Sequence, residues 1–407
     1  MRKRLLFVDD EPLVLAGLRR AMHSMREEWD PNFVTSGAEA LQALDSEPYD
    51  AVVTDMRMPG MDGAQLLEEV KRLHPEIIRM VLSGQSSREA VLRSISPAHQ
   101  YLAKPCDPQE LKLRLAQAFG TRELLDNSAL RAVVSGLKSI PSLPAFYDEL
   151  RMELESDDCS VNKVAAIISK DVGMTAKILQ LANSAFIGLR CHVSNPTQAV
   201  CMIGTEMVRA LVLSIHIFSQ FEGRQLLGAS WTTLWEHSIQ VASLAQRIAA
   251  SEKCSKVVID ESFTAGLLHD AGKVVLLAEM PKPYCSILER IAATPQTEPR
   301  LVERESLGCT HADVGAYLMG IWGLPAPLLQ AVTFHDHPSD SLEKRFSSLT
   351  AVHSADAIAS AADSSPLSQD IQLDLSYLAG LGLQDKPSVW RGFHEEQMNQ
   401  KHGKESV

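Results

Sequence analysis

The chain has 407 residues, of which 45% are hydrophobic, so two or three domains with sizeable cores are expected. A formal net charge of −12 argues against a nucleic-acid-binding protein, which would carry clustered lysine and arginine side chains. The seven scattered cysteines favour a reducing compartment, and no apolar run is long enough for a signal peptide core or a membrane span, which predicts a soluble, cytoplasmic protein.

Strand and helix signals alternate at regular spacing over residues 1–122. Short apolar runs predict strands, and proline or capping residues between them predict helices, the first from residue 12 to about residue 28. The expected strands are residues 5–8, 33–35, 52–55, 80–83 and 101–103. Five strands alternating with five helices predict an α/β fold with a parallel, doubly wound sheet and helices on both faces.

Polar side chains follow four of these strands at the point where each strand ends. Asp9 and Asp10 follow the first strand, Asp55 ends the third, Ser83 ends the fourth and Lys104 follows the fifth. The carboxyl ends of parallel strands share one edge of the sheet, so these side chains are expected in one crevice. Clustered carboxylates favour a hard divalent cation such as Mg²⁺, and a carboxylate can act as nucleophile toward a phosphoryl group.

At these positions the segment resembles the receiver domain of two-component response regulators, which has a flavodoxin-like fold. The resemblance is carried by residues 8–11 (Val-Asp-Asp-Glu), 54–63 (Thr-Asp-Met-Arg-Met-Pro-Gly-Met-Asp-Gly), 82–84 (Leu-Ser-Gly) and 101–105 (Tyr-Leu-Ala-Lys-Pro). It covers the whole of residues 1–122. A sensor histidine kinase is therefore the expected phosphodonor.

The resemblance also implies a role for each residue of the crevice. Asp55 is the implied phosphoacceptor, and Mg²⁺ would be held by that side chain together with Asp9, Asp10 and the backbone carbonyl of Arg57. Ser83 and Tyr101 form the implied switch pair that reorients on phosphorylation. Lys104 would meet the phosphoryl charge, and its bond to the following proline is expected to be cis.

Helical periodicity replaces the alternation after residue 122. We expect a helical linker at residues 123–138, an all-α domain at 139–340 and a helical extension at 341–384. Residues 385–407 are polar enough that we expect a disordered tail.

Ionisable residues lie on the apolar faces of five of the predicted helices. Buried ionisable groups are costly unless they are paired or bound to a metal, so their placement predicts that they meet. The residues are His237, His269, Asp270, His311, His335 and Asp356.

The order His237, His269-Asp270 and Asp356 resembles the HD superfamily of metal-dependent phosphohydrolases. In that superfamily two histidines and two aspartates bind a divalent metal. Residues 140–144, 168–173, 182–186, 265–270 and 322–325 narrow the resemblance to the HDOD domain, an HD-related output domain. HDOD domains are generally regarded as signalling modules without established catalysis, so this resemblance implies output through protein–protein interaction.

A second resemblance leaves an enzymatic alternative open. The HD-GYP group of cyclic di-GMP phosphodiesterases would use the same six residues and Lys273. Against it, His335-Asp336-His337 stands where that group has paired histidines, and no Gly-Tyr-Pro motif follows.

The sequence thus predicts a response regulator with an HDOD output domain, which binds Mg²⁺ in the receiver. The alternative is a receiver-gated phosphodiesterase with a divalent transition metal. The expected partners are the kinase and a downstream signalling protein, without DNA or membrane, and a homodimer is left open.

Overall fold

The computed structural model describes most of the chain in several stretches. The described residues are 2–23, 25–83, 97–104, 106–122, 124–125, 127–137, 144–156, 158–183, 193–205, 208, 231–294, 297–361 and 372–405. Among the helices of these stretches, none has both the length and the apolar character needed to cross a bilayer.

The N-terminal part contains a five-stranded, all-parallel sheet with strand order β2-β1-β3-β4-β5. This confirms the predicted α/β fold. The strands are β1 (Lys3–Val8), β2 (Trp29–Val34), β3 (Ala51–Asp55), β4 (Ile78–Ser83) and β5 (Gln100–Ala103).

Helices cover the sheet and supply the regular secondary structure of the described C-terminal part, which includes one short 3₁₀ helix at Pro338–Asp340. The helices beside the sheet are α1 (Pro12–His23), α2 (Gly37–Ser46), α3 (Gly63–Leu73) and α4 (Pro108–Arg122). Those that follow are α5 (Ser128–Gly136), α6 (Pro144–Glu155), α7 (Val161–Ile168), α8 (Val172–Ala182), α9 (Pro196–Ile203), α10 (Trp231–Ser251), α11 (Lys256–Leu268), α12 (Ala271–Glu279), α13 (Pro281–Ala293), α14 (Pro299–Leu307), α15 (His311–Ile321), α16 (Ala326–Phe334), α17 (Ser348–Ser360), α18 (Leu375–Gly380) and α19 (Pro387–Glu405).

The alternation of side chains along β1 divides the sheet into two cores. Leu6 and Val8 belong to a core with residues of α2 and α3 on one face. Leu5 and Phe7 face the opposite side, where residues of α1 and α4 pack, and that core continues into the C-terminal helices. Apolar packing on one face of the sheet therefore joins the two parts of the chain.

Hydrogen bonds from the sheet edge reinforce this junction. Gln100 of β5 donates from Nε2 to the Gly320 carbonyl near the end of α15 (3.3 Å). Arg79 of β4 is buried and donates from Nη2 to the carbonyl of Ser135 in α5 (2.6 Å). The β4–β5 side of the sheet therefore lies against the helical part.

Two predicted boundaries are wrong. The first helix ends at His23 instead of reaching residue 28, and β2 already begins at Trp29. The residue before a proline is disfavoured in helical conformation, so Asp30, which precedes Pro31, belongs to the strand.

The tail, predicted to be disordered, instead contains α19. Its Trp390 is fully buried, and the ring of Phe393 lies 4.3 Å from the Arg247 guanidinium of α10. One apolar face at helical spacing is enough to hold this polar segment against α10.

Candidate functional site

Three charged side chains meet at the carboxyl edge of the sheet. Asp9 follows β1, Asp55 ends β3 and Lys104 follows β5. Lys104 Nζ lies 2.6 Å from Asp9 Oδ2 and forms a second ion pair with Asp55. Asp9 is fully buried and Asp55 is 7% exposed, so the lysine compensates two carboxylates that are largely removed from water.

Backbone donors hold the two carboxylates in place. Asp55 Oδ2 accepts from the backbone N–H of Arg57 (2.7 Å), and Asp9 Oδ1 accepts from that of Glu11 (3.0 Å). Gly63 begins α3 directly beside Asp55, where any Cβ would collide with the Asp55 carbonyl oxygen. The glycine therefore allows the helix to approach the acidic crevice.

The ion pairs also fix the charge of the lysine. Burial alone would lower the pKa of Lys104, but hydrogen bonds to Asp55 and Asp9 outweigh it and raise that pKa. The ammonium group therefore stays protonated and faces the position where a phosphoryl group on Asp55 would carry its charge.

The other residues predicted for this crevice are placed as follows. Asp10 is half-buried beside Asp9, Arg57 is exposed and Tyr101 is buried in the sheet core. The Ser83 side chain, Pro105 and the helix predicted between the fourth and fifth strands lie outside the described residues. Asp9 and Asp55 converge on Lys104 with carboxylate oxygens, the ligand type that Mg²⁺ prefers, and Asp10 adjoins Asp9 in the chain, so the crevice fits Mg²⁺. Their roles as ligands stay predictions.

A second cluster lies inside the helical part, where six helices bring six predicted side chains together. Each residue is at least nine-tenths buried. They are His237 in α10, His269 at the end of α11, Asp270 before α12, His311 at the start of α15, His335 after α16 and Asp356 in α17.

The cluster forms overlapping groups whose potential ligand atoms lie within 4.8 Å of one another. Asp270 Oδ1 lies 3.3 Å from His311 Nε2, and Asp356 Oδ1 lies 3.0 Å from His237 Nε2. The groups are His237 with His269 and Asp270, His269 with His335 and Asp356, and Asp270 with His311 and His335.

Hydrogen bonds at Nδ1 orient three of the imidazoles. Nδ1 of His269 donates to the Gly266 carbonyl (2.7 Å), and Nδ1 of His335 donates to the Val332 carbonyl (2.8 Å). Nδ1 of His311 pairs with the Glu303 carboxylate (2.9 Å). Outer partners of this kind leave Nε2 directed into the cluster, as in histidines that bind metals.

Three of the six residues each leave one buried polar atom without a hydrogen bond. Within the described part of the chain, these atoms are His269 Nε2, Asp270 Oδ1 and Asp356 Oδ2. Such atoms are costly unless something satisfies them, and a cation would satisfy all three. The imidazole and carboxylate donors therefore fit a divalent transition metal.

The charge states of His269 and Asp270 suit a cation. Burial lowers the pKa of His269 to about 4, which keeps its imidazole neutral. Burial alone would raise the pKa of Asp270, but Lys273 Nζ, 2.9 Å away, and the neighbouring His311 imidazole hold it well below its usual value. A neutral imidazole and an ionised carboxylate are the forms that bind metal. At His237, His311 and His335 burial alone would lower the pKa, but neighbouring carboxylates outweigh it and raise that pKa, to about 10 for His311, so a metal must displace protons from these three imidazoles.

Sequence reasoning did not include two residues of this cluster. Glu303 of α14 is fully buried and accepts hydrogen bonds from the Tyr284 hydroxyl (2.7 Å) and the His311 backbone (2.9 Å). Asp336 was read only as a departure from paired histidines, yet its Oδ1 lies 3.1 Å from His335 Nε2. Glu303 stands among charged residues of an amphipathic helix, so no local signal marks it.

Comparison with known proteins assigns both parts of the chain. The response regulator receiver domain family matches residues 5–116, and the HDOD domain family matches residues 140–338. An uncharacterized protein of Treponema pallidum (strain Nichols) is 27% identical, with 64% of this chain and 48% of that protein covered. The transcriptional regulatory protein GlrR of Escherichia coli K12 is 36% identical, with 46% and 42% covered.

The matched stretches span less than half of the length of these two curated relatives. Among solved structures, the MmoQ response regulator of Methylococcus capsulatus strain Bath is 23% identical, with a TM-score of 0.49, over 62% of this chain and 98% of that one. From the two family matches, the chain belongs to the response regulators in which a receiver domain is followed by an HDOD domain.

Proposed function

We propose that this protein is a cytoplasmic response regulator that accepts a phosphoryl group on Asp55 from a sensor histidine kinase. The observation that carries the proposal is the crevice in which Lys104 is paired with both Asp9 and Asp55. It supplies a nucleophilic carboxylate, a fixed cation and the oxygen ligands for magnesium at one edge of the sheet.

In the transfer, an Asp55 oxygen attacks phosphorus in line with the phosphohistidine nitrogen. The new O–P bond forms as the P–N bond breaks, and the kinase imidazole leaves with the electron pair. Lys104 stabilises the charge on the phosphoryl oxygens, and Asp9 and Asp10 would hold Mg²⁺, which supplies further charge neutralisation when bound.

The output would follow from the contact between the sheet edge and the HDOD domain. β5 carries Gln100, bonded to Gly320, and is followed by Lys104, paired with Asp55. Phosphorylation of Asp55 redirects Lys104 and alters this contact, which frees a surface for a downstream protein or for a second copy of the chain.

Hydrogen exchange with and without the phosphoryl mimic beryllofluoride plus Mg²⁺ tests this function. We expect faster exchange at the Gln100–Gly320 contact in the wild type and no change in Asp55→Asn. Binding of the mimic without any change at this contact would contradict the proposed output.

A second candidate function is metal-dependent hydrolysis of a phosphate ester by the HDOD domain. The observation that favours it is the convergence of six side chains that fit a divalent metal. A divalent ion in this centre supplies Lewis-acid polarisation of a phosphate ester. Lys273 is only 2% exposed and donates a hydrogen bond to Asp270 Oδ2. This bond orients the carboxylate of Asp270, whose other oxygen faces His311.

Metal analysis coupled to a hydrolysis screen separates the two candidates. Stoichiometric transition metal together with cleavage of a cyclic dinucleotide, both lost in Asp270→Ala, would establish the enzyme. If the purified protein contains no metal and Asp270→Ala still signals, output by protein–protein interaction would be the one of these two functions that remains. Asp55→Asn shows whether cleavage depends on the receiver.

A further inference from the structure

We propose that helix α15 links the two sites, so that metal in the HDOD cluster and a phosphoryl group on Asp55 change each other's affinity. The inference rests on the proposed function, because it requires that Asp55 accepts a phosphoryl group and that the cluster binds metal. It adds a physical connection between them that neither site shows alone.

The N-terminal end of α15 is part of the metal cluster. Its first residue is His311, whose Nε2 lies 3.3 Å from Asp270 Oδ1. Two residues after Asp270, Gly272 packs so closely on α15 that a Cβ would collide with the His311 carbonyl oxygen. Any axial movement of the helix therefore changes the position of His311 relative to Asp270.

The C-terminal end of α15 is held by the receiver domain. Beyond the Gln100–Gly320 bond, Gln117 of α4 donates to the Leu324 carbonyl (2.6 Å) and Arg114 donates to that of Gly323 (3.2 Å). Through these hydrogen bonds, the positions of α4 and β5 fix the backbone carbonyls at and just beyond the end of α15.

A close approach of helices reinforces these hydrogen bonds. A Cβ on Gly320 would collide with the side chain of Thr121 in α4. Absence of a side chain at Gly320 therefore lets α4 approach α15 closely. Because the two helices are already in close contact here, a shift of α4 toward α15 must displace α15 as well.

The segment between the two ends is suited to move as one body. All 11 residues of α15 are buried, and Tyr317 near its middle is hydrogen-bonded to Ser135 of α5 (2.6 Å). The helix is about 16 Å long. Packed interfaces shift as rigid elements by about 1–2 Å, and such a shift at one end reaches the other.

Thermodynamic linkage makes the consequence reciprocal. If phosphorylation shifts α15, metal affinity changes by some factor, and metal binding must change the affinity for the phosphoryl mimic by the same factor. Couplings of this kind are typically about 5–150-fold.

The test measures both affinities on the full chain. Beryllofluoride binding in saturating Mg²⁺ is titrated with chelated protein and with protein saturated with Zn²⁺, and Zn²⁺ binding is titrated with and without beryllofluoride. We expect equal factors of at least about fivefold in the two titrations.

A substitution that adds a side chain at the C-terminal end of α15 distinguishes the coupling between the sites from the binding of each ligand. Gly320→Ala should reduce the factor toward one while both ligands still bind. Gly120→Ala is the matched control, because it lies exposed on α4 with nothing near its added methyl group, and it should keep the wild-type factor. Gln117→Ala, which removes one hydrogen bond without adding a side chain, serves if Gly320→Ala fails to fold, and it should also lower the factor.

The outcomes distinguish the inference from the function beneath it. Failure of beryllofluoride to bind, or of Zn²⁺ to bind, overturns the corresponding part of the proposed function, and the linkage with it. Binding of both with a factor of one overturns the linkage alone. An undiminished factor in both Gly320→Ala and Gln117→Ala would show that the coupling does not pass through α15.

Discussion

The receiver crevice and the HDOD cluster both gather acids, but they differ in donor chemistry and access. The crevice offers carboxylate oxygens and a lysine that is 17% exposed, with half-buried Asp10 at its edge. In the cluster, imidazoles join the acids, and neither His269 nor His311 has any exposed surface. The first arrangement suits a hard ion and a phosphoryl group that come and go, and the second suits a resident transition metal.

The largest expected effect concerns the buried charge pair of the cluster. Asp270→Ala leaves Lys273 buried without its carboxylate partner, and breaking such a pair costs about 3–5 kcal/mol. Denaturant unfolding of chelator-treated protein measures this loss, and metal analysis should also show that the variant retains no metal. Asp340→Ala, at an exposed position of the same domain, should change neither quantity.

The next effect tests whether phosphorylation in the crevice depends on the ammonium group of Lys104. Lys104→Ala removes the ammonium group that faces the transferring phosphoryl, and loss of one such group lowers rates by about 100–1,000-fold. The rate of Asp55 phosphorylation by a small phosphodonor measures it. Lys112→Ala on α4, whose side chain is 39% exposed, is the control, and equal rates in the two variants would refute the role of Lys104.

A smaller effect tests the hydrogen bond by which Glu303 orients a histidine of the cluster. Glu303→Gln weakens the partner of His311 Nδ1, and removal of such outer partners typically lowers metal affinity by about 10–100-fold. Zinc titration against a competing chelator measures the affinity. Glu305→Gln, an exposed neighbour on the same helix, should behave as wild type.

The smallest effect lies in the domain contact and depends on pH. Burial and the neighbouring Arg79 hold the pKa of His99 well below its usual value of 6.5. Nδ1 of His99 accepts from the Arg79 backbone N–H (3.2 Å), and Nε2 lies 2.9 Å from the Ser135 carbonyl oxygen and 2.6 Å from Arg79 Nη2.

The unfolded chain therefore takes up a proton at this residue near pH 6.5, while the folded chain does not. The stabilisation is complete well above that pH and is lost as the pH falls below it, by about 1 kcal/mol for the first unit. Between pH 7.5 and 5.5, the free energy of unfolding should decline less steeply in His99→Gln than in wild type. A decline as steep as that of His23→Gln, an exposed control, would contradict it.

Topological rules explain what the sequence could predict. The ends of parallel strands lie at one edge, so Asp9, Asp55 and Lys104 could be grouped without coordinates. Helical periodicity placed the cluster residues on buried faces, and the structure brings them together. Their roles as ligands are still predictions.

What the sequence missed depends on contacts between distant elements. Glu303 belongs to the cluster only because α14 packs beside the start of α15, and nothing in its own helix marks that neighbour. The tail was judged by its local polarity, whereas burial of Trp390 decides its structure. The contact of Gln100 with Gly320 joins residues that are 220 positions apart, so no local pattern encodes it.

Phosphorylation of Asp55 is the claim on which the account depends most directly. Intact-mass measurement of the purified chain incubated with acetyl phosphate and Mg²⁺ should show one added phosphoryl group, absent without Mg²⁺ and absent in Asp55→Asn. An unlabelled wild-type chain, or a label that Asp55→Asn retains in full, would contradict it.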